Sequence, residues 1–309
     1  MANANTYPVG ILLVILYITM SAIREVFFAL TLRQINIFVL IGLVFALATI
    51  IFTAFQARNL RGLLLRVRQN KLDIVYINIT TALAWFSFIF SLQFIEPAVA
   101  TSIVTALGPV STLIVASKML KDFKFKRVDI ICAIGILFSI FFLGYLTITG
   151  RSGVTTNSAI WAAAGLLGAT LSGFTSAANT VVTKRLVISG FKSSEIMVVR
   201  FYILVVASFC WIVLRDIPIS MNANQFMTIT AISFLGISIP LFALQAGIAK
   251  IDVNSVALII SVGPVITFVT QAIHGGFAVS LYSLVGIFLA LFFVVFGIIS
   301  KLRTAKSVA

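Results

Sequence analysis

Two stretches, ALGPVSTLIV at 106–115 and SVGPVITFVT at 261–270, decide the fold of this chain. Each places a Gly-Pro-Val triplet inside a long apolar segment, and the two copies lie 155 residues apart in a chain of 309. A near-repeat at half the chain length indicates two structurally related halves. We therefore divide the chain into residues 1–153 and residues 154–309.

The composition places both halves in a membrane. Apolar residues make up 61% of the chain and charged residues only 10%, with a mean hydropathy of +1.17. A soluble domain carries about 25% charged residues. Because a soluble fold of this length could not bury so many large apolar side chains, the lipid bilayer is the solvent that fits.

Apolar runs of about 20 residues, the length that crosses the hydrocarbon core, recur along the whole chain. They predict an all-α membrane protein with ten transmembrane helices, five in each half. The predicted spans are 9–31, 35–55, 73–95, 97–117, 129–149, 158–182, 195–214, 225–249, 253–273 and 280–300.

The net charge of +14 follows the membrane topology. With ten spans, 17 of the 22 basic residues fall on the side of the N-terminus, here called side A, and only Arg33, Arg151 and Arg215 fall on side B. Short loops rich in Lys and Arg stay cytoplasmic. We therefore expect both termini in the cytoplasm and the protein in a bacterial inner membrane, and the charge does not indicate a nucleic-acid partner.

An odd number of spans in each half makes the second half enter the membrane upside down. Pro109 and Pro264 then lie just past the midplane, approached from opposite faces. A proline removes one backbone hydrogen bond, so Gly108–Pro109 and Gly263–Pro264 are predicted helix breaks. Inverted repeats with broken helices are typical of secondary transporters, although a proline kink can also serve helix packing alone.

Little in the chain supports enzymatic chemistry. The two cysteines, Cys132 and Cys210, fall inside spans, and the single histidine, His274, has no Cys or carboxylate cluster around it. No glycine-rich nucleotide loop is present. We predict no enzyme activity, no metal and no cofactor.

Ionisable residues within a span are costly and usually face a cavity. Glu25 is the one carboxylate clearly inside a span, and it is a candidate proton carrier or counter-charge for a cationic substrate group. The alternative is a structural pairing with Arg24 or a neighbouring helix. Adjacent residues point about 100° apart on a helix, which makes a direct pairing of Glu25 with Arg24 awkward.

Further candidate substrate-binding residues are Arg24, Arg200, Asn78, Trp85 and Gln245. Arg200 could hold a substrate carboxylate or phosphate with its planar fork, or it could extend to the interface instead. Trp85 is predicted near mid-membrane, where it either stacks on cargo or packs between helices. Asn78 and Trp85 are seven residues apart and share a helix face.

Three other features are assigned structural roles. A stripe of small residues, Gly165, Ala169, Gly173 and Ala177, predicts close helix contact. His274 is interpreted as an interfacial residue. Glu96 and Glu195 lie at helix ends, where a role in helix initiation suffices.

The chain resembles the drug/metabolite transporter superfamily, specifically its EamA-type members. The motifs that carry the resemblance are Val199-Arg200-Phe201, the segment 243–248, and the run from Ser255 to Val265. The first half departs from the pattern, because its second span has no arginine matching Arg200. The resemblance implies a central cavity lined by spans 1–4 and 6–9, with spans 5 and 10 peripheral, and export of metabolites or amphipathic compounds.

The expected function is secondary active export of a small amphipathic, amino-acid-like or drug-like metabolite by alternating access, with proton coupling through Glu25 as a hypothesis. Uptake or facilitated exchange is the main alternative, and a passive channel a lesser one. The expected partners are a small-molecule substrate, the lipid bilayer and, as a further hypothesis, a second copy in a homodimer.

Overall fold

The computed structural model describes residues 7–119, 127–154, 158–248, 250–251 and 253–306, and this part of the chain is helical without a strand. The predicted basic residues Lys121, Lys124 and Lys126 lie outside it. A 3-10 turn covers Ala57–Asn59 and a π-helical segment covers Ile232–Ser238. The α-helices are α1 (Tyr7–Thr31), α2 (Ile37–Phe55), α3 (Leu60–Gln69), α4 (Lys71–Ser91), α5 (Pro97–Met119), α6 (Arg127–Ile148), α7 (Ala159–Ile188), α8 (Ser193–Val199), α9 (Tyr202–Leu214), α10 (Ala223–Ala231), α11 (Ile239–Ile248), α12 (Val253–Ser261), α13 (Gly263–His274) and α14 (Leu281–Lys306).

Within the described residues, nine stretches are long and apolar enough to cross a membrane, and they coincide with nine of the ten predicted spans. The remaining predicted span, 97–117, corresponds to α5, which contains the apolar helical stretch Pro97–Ser111. The chain is therefore an integral membrane protein with multiple apolar helices, and a count of ten remains a prediction.

One helix was not predicted. Residues 56–70 were expected to form a loop, but they contain α3, which connects α2 to α4. Leu60, Leu63 and Val67 pack against the main core. Their spacing of three and four residues places them on one face of a helix, which explains why this short polar segment folds.

The two Gly-Pro-Val copies behave differently. In the second half the chain is interrupted at Val262, and Pro264 occupies the first turn of α13, where its missing N–H costs nothing. The break predicted at Gly108–Pro109 is wrong, because α5 continues through Pro109 as a single helix. One lost hydrogen bond is tolerated in a membrane helix when neighbouring helices and local adjustments compensate for it.

Two other spans of the second half are irregular. The seventh is divided into α8 and α9 by Arg200 and Phe201, and the eighth contains the π-helical segment between α10 and α11. π-Helical turns inside helices occur frequently at functional sites. Both irregularities lie next to predicted site residues.

Helices of the two halves pack most extensively in seven pairs: α1 with α11, α1 with α13, α2 with α9, α4 with α7, α5 with α7, α5 with α13, and α6 with α14. The predicted close contact of the small-residue stripe on α7 is present. A Cβ atom on Gly165 would lie 2.8 Å from Ile95, and one on Gly173 would lie 2.8 Å from Leu107. Phe28, Phe45 and Phe201 are the largest fully buried side chains, so the core centres on α1, α2 and α9.

Candidate functional site

The centre of the candidate site is an ion pair between adjacent residues of α1. Arg24 and Glu25 are each 6% exposed, and Nη2 of Arg24 lies 3.3 Å from Oε1 of Glu25. This is the structural pairing with Arg24 that the sequence left open as the alternative for Glu25. Their Cβ atoms diverge around the helix, but the arginine side chain is long enough to bring the guanidinium group back to the carboxylate.

The other carboxylate oxygen of Glu25 joins α1 to both halves. It accepts hydrogen bonds from the hydroxyl of Thr101 on α5 (2.6 Å) and from the hydroxyl of Thr267 on α13 (2.9 Å). Each hydroxyl also lies within hydrogen-bond distance of a carbonyl of its own helix, that of Pro97 or Gly263. Since a hydroxyl has one proton, each threonine can donate either to Glu25 or to its own backbone.

Arg24 is held against the π-helical segment. Its Nη1 donates to the carbonyl oxygen of Gly236 (3.0 Å), and a Cβ on Gly236 would lie 2.9 Å from Cγ of Arg24. Glycine at this position is therefore required by the close approach of the arginine. The guanidinium carbon lies 5.0 Å from the ring centre of Trp85, while Nε has no hydrogen-bond partner among the described residues.

Trp85 belongs to an aromatic cluster beside Arg24. Its ring centre lies 4.9 Å from that of Phe45 and between 6 and 7 Å from those of Phe28 and Phe88, at 6.5 and 6.4 Å. Trp85 itself is only half-buried. The cluster therefore presents an apolar, polarisable surface next to the ion pair.

Arg200 forms a second cluster, nearer side A. It lies at the interruption between α8 and α9 and is 8% exposed. Its Nη2 donates to the amide oxygen of Asn179 (2.7 Å), and its Nε donates to the hydroxyl of Thr81 (3.4 Å). No carboxylate of the described residues forms an ion pair with it, so its partners are neutral.

Asn78 stabilises this interruption. Its amide nitrogen donates to the carbonyl of Val199 (2.6 Å), and its amide oxygen accepts from the backbone N–H of Ile203 (3.2 Å). The two residues flank Arg200, so Asn78 satisfies backbone groups that the broken helix leaves unpaired. Asn78 and Trp85 share α4, but the structure places Asn78 with Arg200 and Trp85 with Arg24.

The remaining predicted residues join neither cluster. Gln245 on α11 is half-buried, and its side chain has no hydrogen bond within the described part of the chain. Gly263 packs against α1, since a Cβ there would lie 2.6 Å from Cδ1 of Ile18. Gly263 and Pro264 therefore shape the contact between α13 and α1.

Four residues of the site were missed from the sequence: Thr267, Gly236, Asn179 and Tyr17. Tyr17 is half-buried on α1, seven residues before Arg24, and it interacts electrostatically with Arg24, Glu25 and Arg200. Asn179 could have been found by the rule that polar groups in a span face a cavity. Thr267 and Gly236 carried no such signal, because Thr and Gly are common in membrane helices.

A cavity of about 460 Å³ lies at the side B ends of α1, α10 and α13. These helices, together with the π-helical segment that follows α10, also carry Glu25, Thr267 and Gly236. Phe27, which lines the cavity, stands two residues after Glu25. The lining residues are Phe27, Leu30, Thr31, Arg33, Gln34, Asn222, Asn224, Gln225, Thr228 and His274.

Glu96 does more than initiate α5. Its side chain is fully buried and accepts hydrogen bonds from the N–H of Gly153 (2.8 Å), the hydroxyl of Ser283 (2.7 Å) and the amide of Gln271. Burial raises the pKa of this carboxyl group, and the three hydrogen bonds oppose that rise only in part. Glu96 thus ties the two halves together at side B.

Two ion pairs tie the halves together at side A. Arg66 of α3 pairs with Glu195 of α8, and Asp73 of α4 pairs with Arg185 of α7 at 2.9 Å. Glu195 also accepts a hydrogen bond from the N–H of Lys192 (2.9 Å), which agrees with its predicted role at a helix start. Among the described residues, no group of three or more His, Cys, Asp or Glu side chains could hold a metal ion.

Comparison with known proteins supports this architecture. A model of the EamA-like transporter family matches residues 8–145 and 163–299, one stretch in each half. A solved structure described only as "Crystal structure of protein" has a TM-score of 0.64 and 16% sequence identity, covering 99% of both chains. At that identity the likeness concerns the fold alone. No curated protein matches the chain significantly.

Proposed function

The chain belongs to the EamA-like transporter family, and on this premise we propose that it is a secondary active exporter of a small amphipathic metabolite bearing a carboxylate. Members of this family are transporters and not enzymes. The observation that carries the proposal is the buried Arg24–Glu25 pair. It is bonded to elements of both halves and lies beside a cavity that reaches side B.

The helix pairing supports ten spans arranged as two inverted repeats, 1–153 and 154–309. When each span is exchanged for its counterpart five spans later, the pair α1–α11 becomes the pair α7–α4, and the pair α1–α13 becomes the pair α7–α5. The other three pairs, α2–α9, α5–α13 and α6–α14, map onto themselves. Such two-fold exchange is expected when an odd number of spans separates counterparts. It favours alternating access by rocking of one half against the other.

Glu25 can couple proton binding to this motion. As a carboxylate it holds Arg24, Thr101 and Thr267, and through them α5, α13 and the π-helical segment. When it is protonated, its attraction for Arg24 is lost and both threonines can turn to their own backbone carbonyls. Protonation therefore releases contacts between the halves without leaving a buried hydroxyl unpaired.

The charges favour an anionic group on the substrate. Arg24 is balanced by Glu25, but the buried guanidinium of Arg200 has only neutral partners. A buried cation is costly unless it is paired, and a substrate carboxylate would compensate it. Trp85 and its aromatic neighbours would receive the apolar part of the same molecule.

The orientation and the setting belong to the same proposal. Both termini are cytoplasmic and side B is the outside, because side A collects the basic residues. The proposed membrane is a bacterial inner membrane. Transport then runs from Arg200 to Glu25 and out through the cavity. Uptake or facilitated exchange uses the same site in reverse, and a homodimer remains a hypothesis.

The test is transport by purified protein in proteoliposomes. A panel of carboxylated amphipathic metabolites is screened first for thermal stabilisation of the protein and then for saturable counterflow. We expect at least one compound to do both, and Glu25→Gln to abolish the pH dependence of its transport. Asp216→Asn, which removes an exposed carboxylate in the connection after α9, is the matched control.

Three outcomes contradict the proposal. Non-saturable flux indicates a channel. Full transport with unchanged pH dependence in Glu25→Gln removes the coupling role. Counterflow limited to cationic compounds removes the role assigned to Arg200.

A further inference from the structure

The surface of α3 carries a feature that the transport site does not use. Leu64 and Leu65 are 60% and 61% exposed, although they lie in a helix only ten residues long. Arg61 precedes them by one turn and Arg68 follows them by one turn. Because residues three, four and seven positions apart share a helix face, these four side chains form one stripe, Arg61–Leu64–Leu65–Arg68.

The opposite face of α3 is already occupied. Leu60, Leu63 and Val67 pack against the core, and Arg66 pairs with Glu195. This fixes the rotation of the helix, so the stripe faces away from the protein. Neither Arg61 nor Arg68 forms an ion pair with a described carboxylate, and their guanidinium groups are free to bind an external anion.

The position of α3 sets its depth at the membrane. It follows α2 and precedes α4, so it lies where two spanning helices end. Phe55, the last residue of α2, and Leu72, near the start of α4, are exposed apolar side chains that bracket it. The stripe therefore lies at the boundary between hydrocarbon and water.

We propose that the Arg61–Leu64–Leu65–Arg68 stripe binds the headgroup region of anionic phospholipids. The two leucines insert among the upper acyl carbons, while the arginines bind phosphates on either side of them. A helix with apolar residues on the membrane-facing side and basic residues beside them is suited to this interface. Arginine binds phosphate with two parallel N–H donors, which favours it over a simple point charge.

The charge asymmetry of the chain supports an anionic partner. The connection after α9, 215–222, which occupies the corresponding place in the second half, contains no helix and carries Arg215 beside Asp216. Of these two described connections, the one that contains α3 combines an amphipathic helix with arginines that form no ion pair with a described carboxylate. A zwitterionic lipid would bury the leucines equally well but would leave both arginines without a net anionic partner.

The test uses full-length protein in which Cys132 and Cys210 are replaced by alanine and Leu65→Cys carries an environment-sensitive fluorophore. The protein is reconstituted in phosphatidylcholine vesicles with increasing fractions of brominated phosphatidylglycerol or brominated phosphatidylcholine. We expect brominated phosphatidylglycerol to quench the fluorescence of the label at least about fivefold more effectively than brominated phosphatidylcholine. The reason is that each basic side chain near an anionic surface strengthens binding by about that factor. The same label at Ile219→Cys, on the side B connection, should show no preference.

Two further arms make the result decisive. Arg61→Gln with Arg68→Gln should reduce the preference for phosphatidylglycerol at Leu65→Cys to about one, and high salt should weaken this preference when both arginines are present. The salt arm leaves both arginines in place and needs no substitution beyond those of the labelled protein. Equal quenching by both lipids, or a preference that survives loss of both arginines, overturns the proposal. A label that neither lipid quenches also overturns it, because a second copy or another protein would then cover the stripe.

Discussion

Glu25 on α1 accepts a hydrogen bond from Thr267 on α13, 242 residues further along the chain. The same oxygen also accepts from Thr101, so one carboxylate oxygen connects three helices drawn from both halves. A change in the charge of Glu25 therefore alters hydrogen bonds that join the two halves.

Replacing Thr267 with valine tests this connection. Removing a hydrogen bond to a buried charged group costs about 1.5–3 kcal/mol, so we expect lower thermal stability and slower transport. Thr270→Val is the matched control, because its hydroxyl bonds only to the carbonyl of Ile266 one turn away. Equal effects of the two substitutions would contradict a special role for Thr267. Combined with Thr101→Val, the effect should be non-additive, since both residues bond to one oxygen.

Arg200→Gln separates binding from stability. The substitution removes a buried cation that lacks an anionic partner, so the melting temperature should be unchanged or higher. The apparent affinity for a carboxylated substrate should fall by about tenfold or more, which corresponds to about 1.4 kcal/mol. Thermal unfolding and counterflow kinetics measure the two effects. Arg215→Gln, on the exposed connection, should change neither, and a large loss of stability in Arg200→Gln would assign Arg200 to the framework.

Gly236→Ala should displace Arg24. The new methyl group would lie 2.9 Å from Cγ of Arg24, near the base of the side chain, where little movement is available. We expect destabilisation of about 1–3 kcal/mol and loss of transport. Gly62→Ala in α3 meets no atom within 4 Å and should stabilise the helix by about 0.5–1 kcal/mol. If both variants have the same melting temperature, the close approach at Gly236 is unimportant.

The contact at Glu96 should depend on pH. Because the pKa of this carboxyl group is raised in the folded protein, the folded state binds the proton more tightly than the unfolded state. The contribution of Glu96 to the stability of the folded protein is fully present below the ordinary carboxyl pKa of 4.5. It is lost as the pH rises through the raised pKa of the folded state. Melting temperatures measured from about pH 4 to about pH 8 should therefore fall more steeply for the unsubstituted protein than for Glu96→Gln. Parallel curves would show that Glu96 does not titrate in this range.

The spans could be predicted from the sequence because their signal is local. About 20 apolar residues suffice to identify a membrane helix, whatever surrounds it. The polar candidates Arg24, Glu25 and Arg200 could be found for the same reason, since each is conspicuous in its own span.

The partners of these residues could not be predicted, because they depend on contacts between distant helices. Nothing near Thr267 indicates that Glu25 lies opposite it. Nothing near Asn78 indicates that its amide is used by the backbone of an interrupted helix. Pro109 and Pro264 have the same local sequence, yet only the second lies at an interruption. The environment of each proline, and not the triplet itself, decides the outcome.

The three irregularities of the second half give the protein unequal mechanical properties. A helix that is interrupted at Val262, divided at Arg200 or widened between Ile232 and Ser238 bends more easily than an uninterrupted one, whereas α5 continues through its proline as a single helix. We expect the first half to act as a stiff frame and the second half to absorb most of the bending. Two halves of similar architecture would then differ in how much each one deforms during transport.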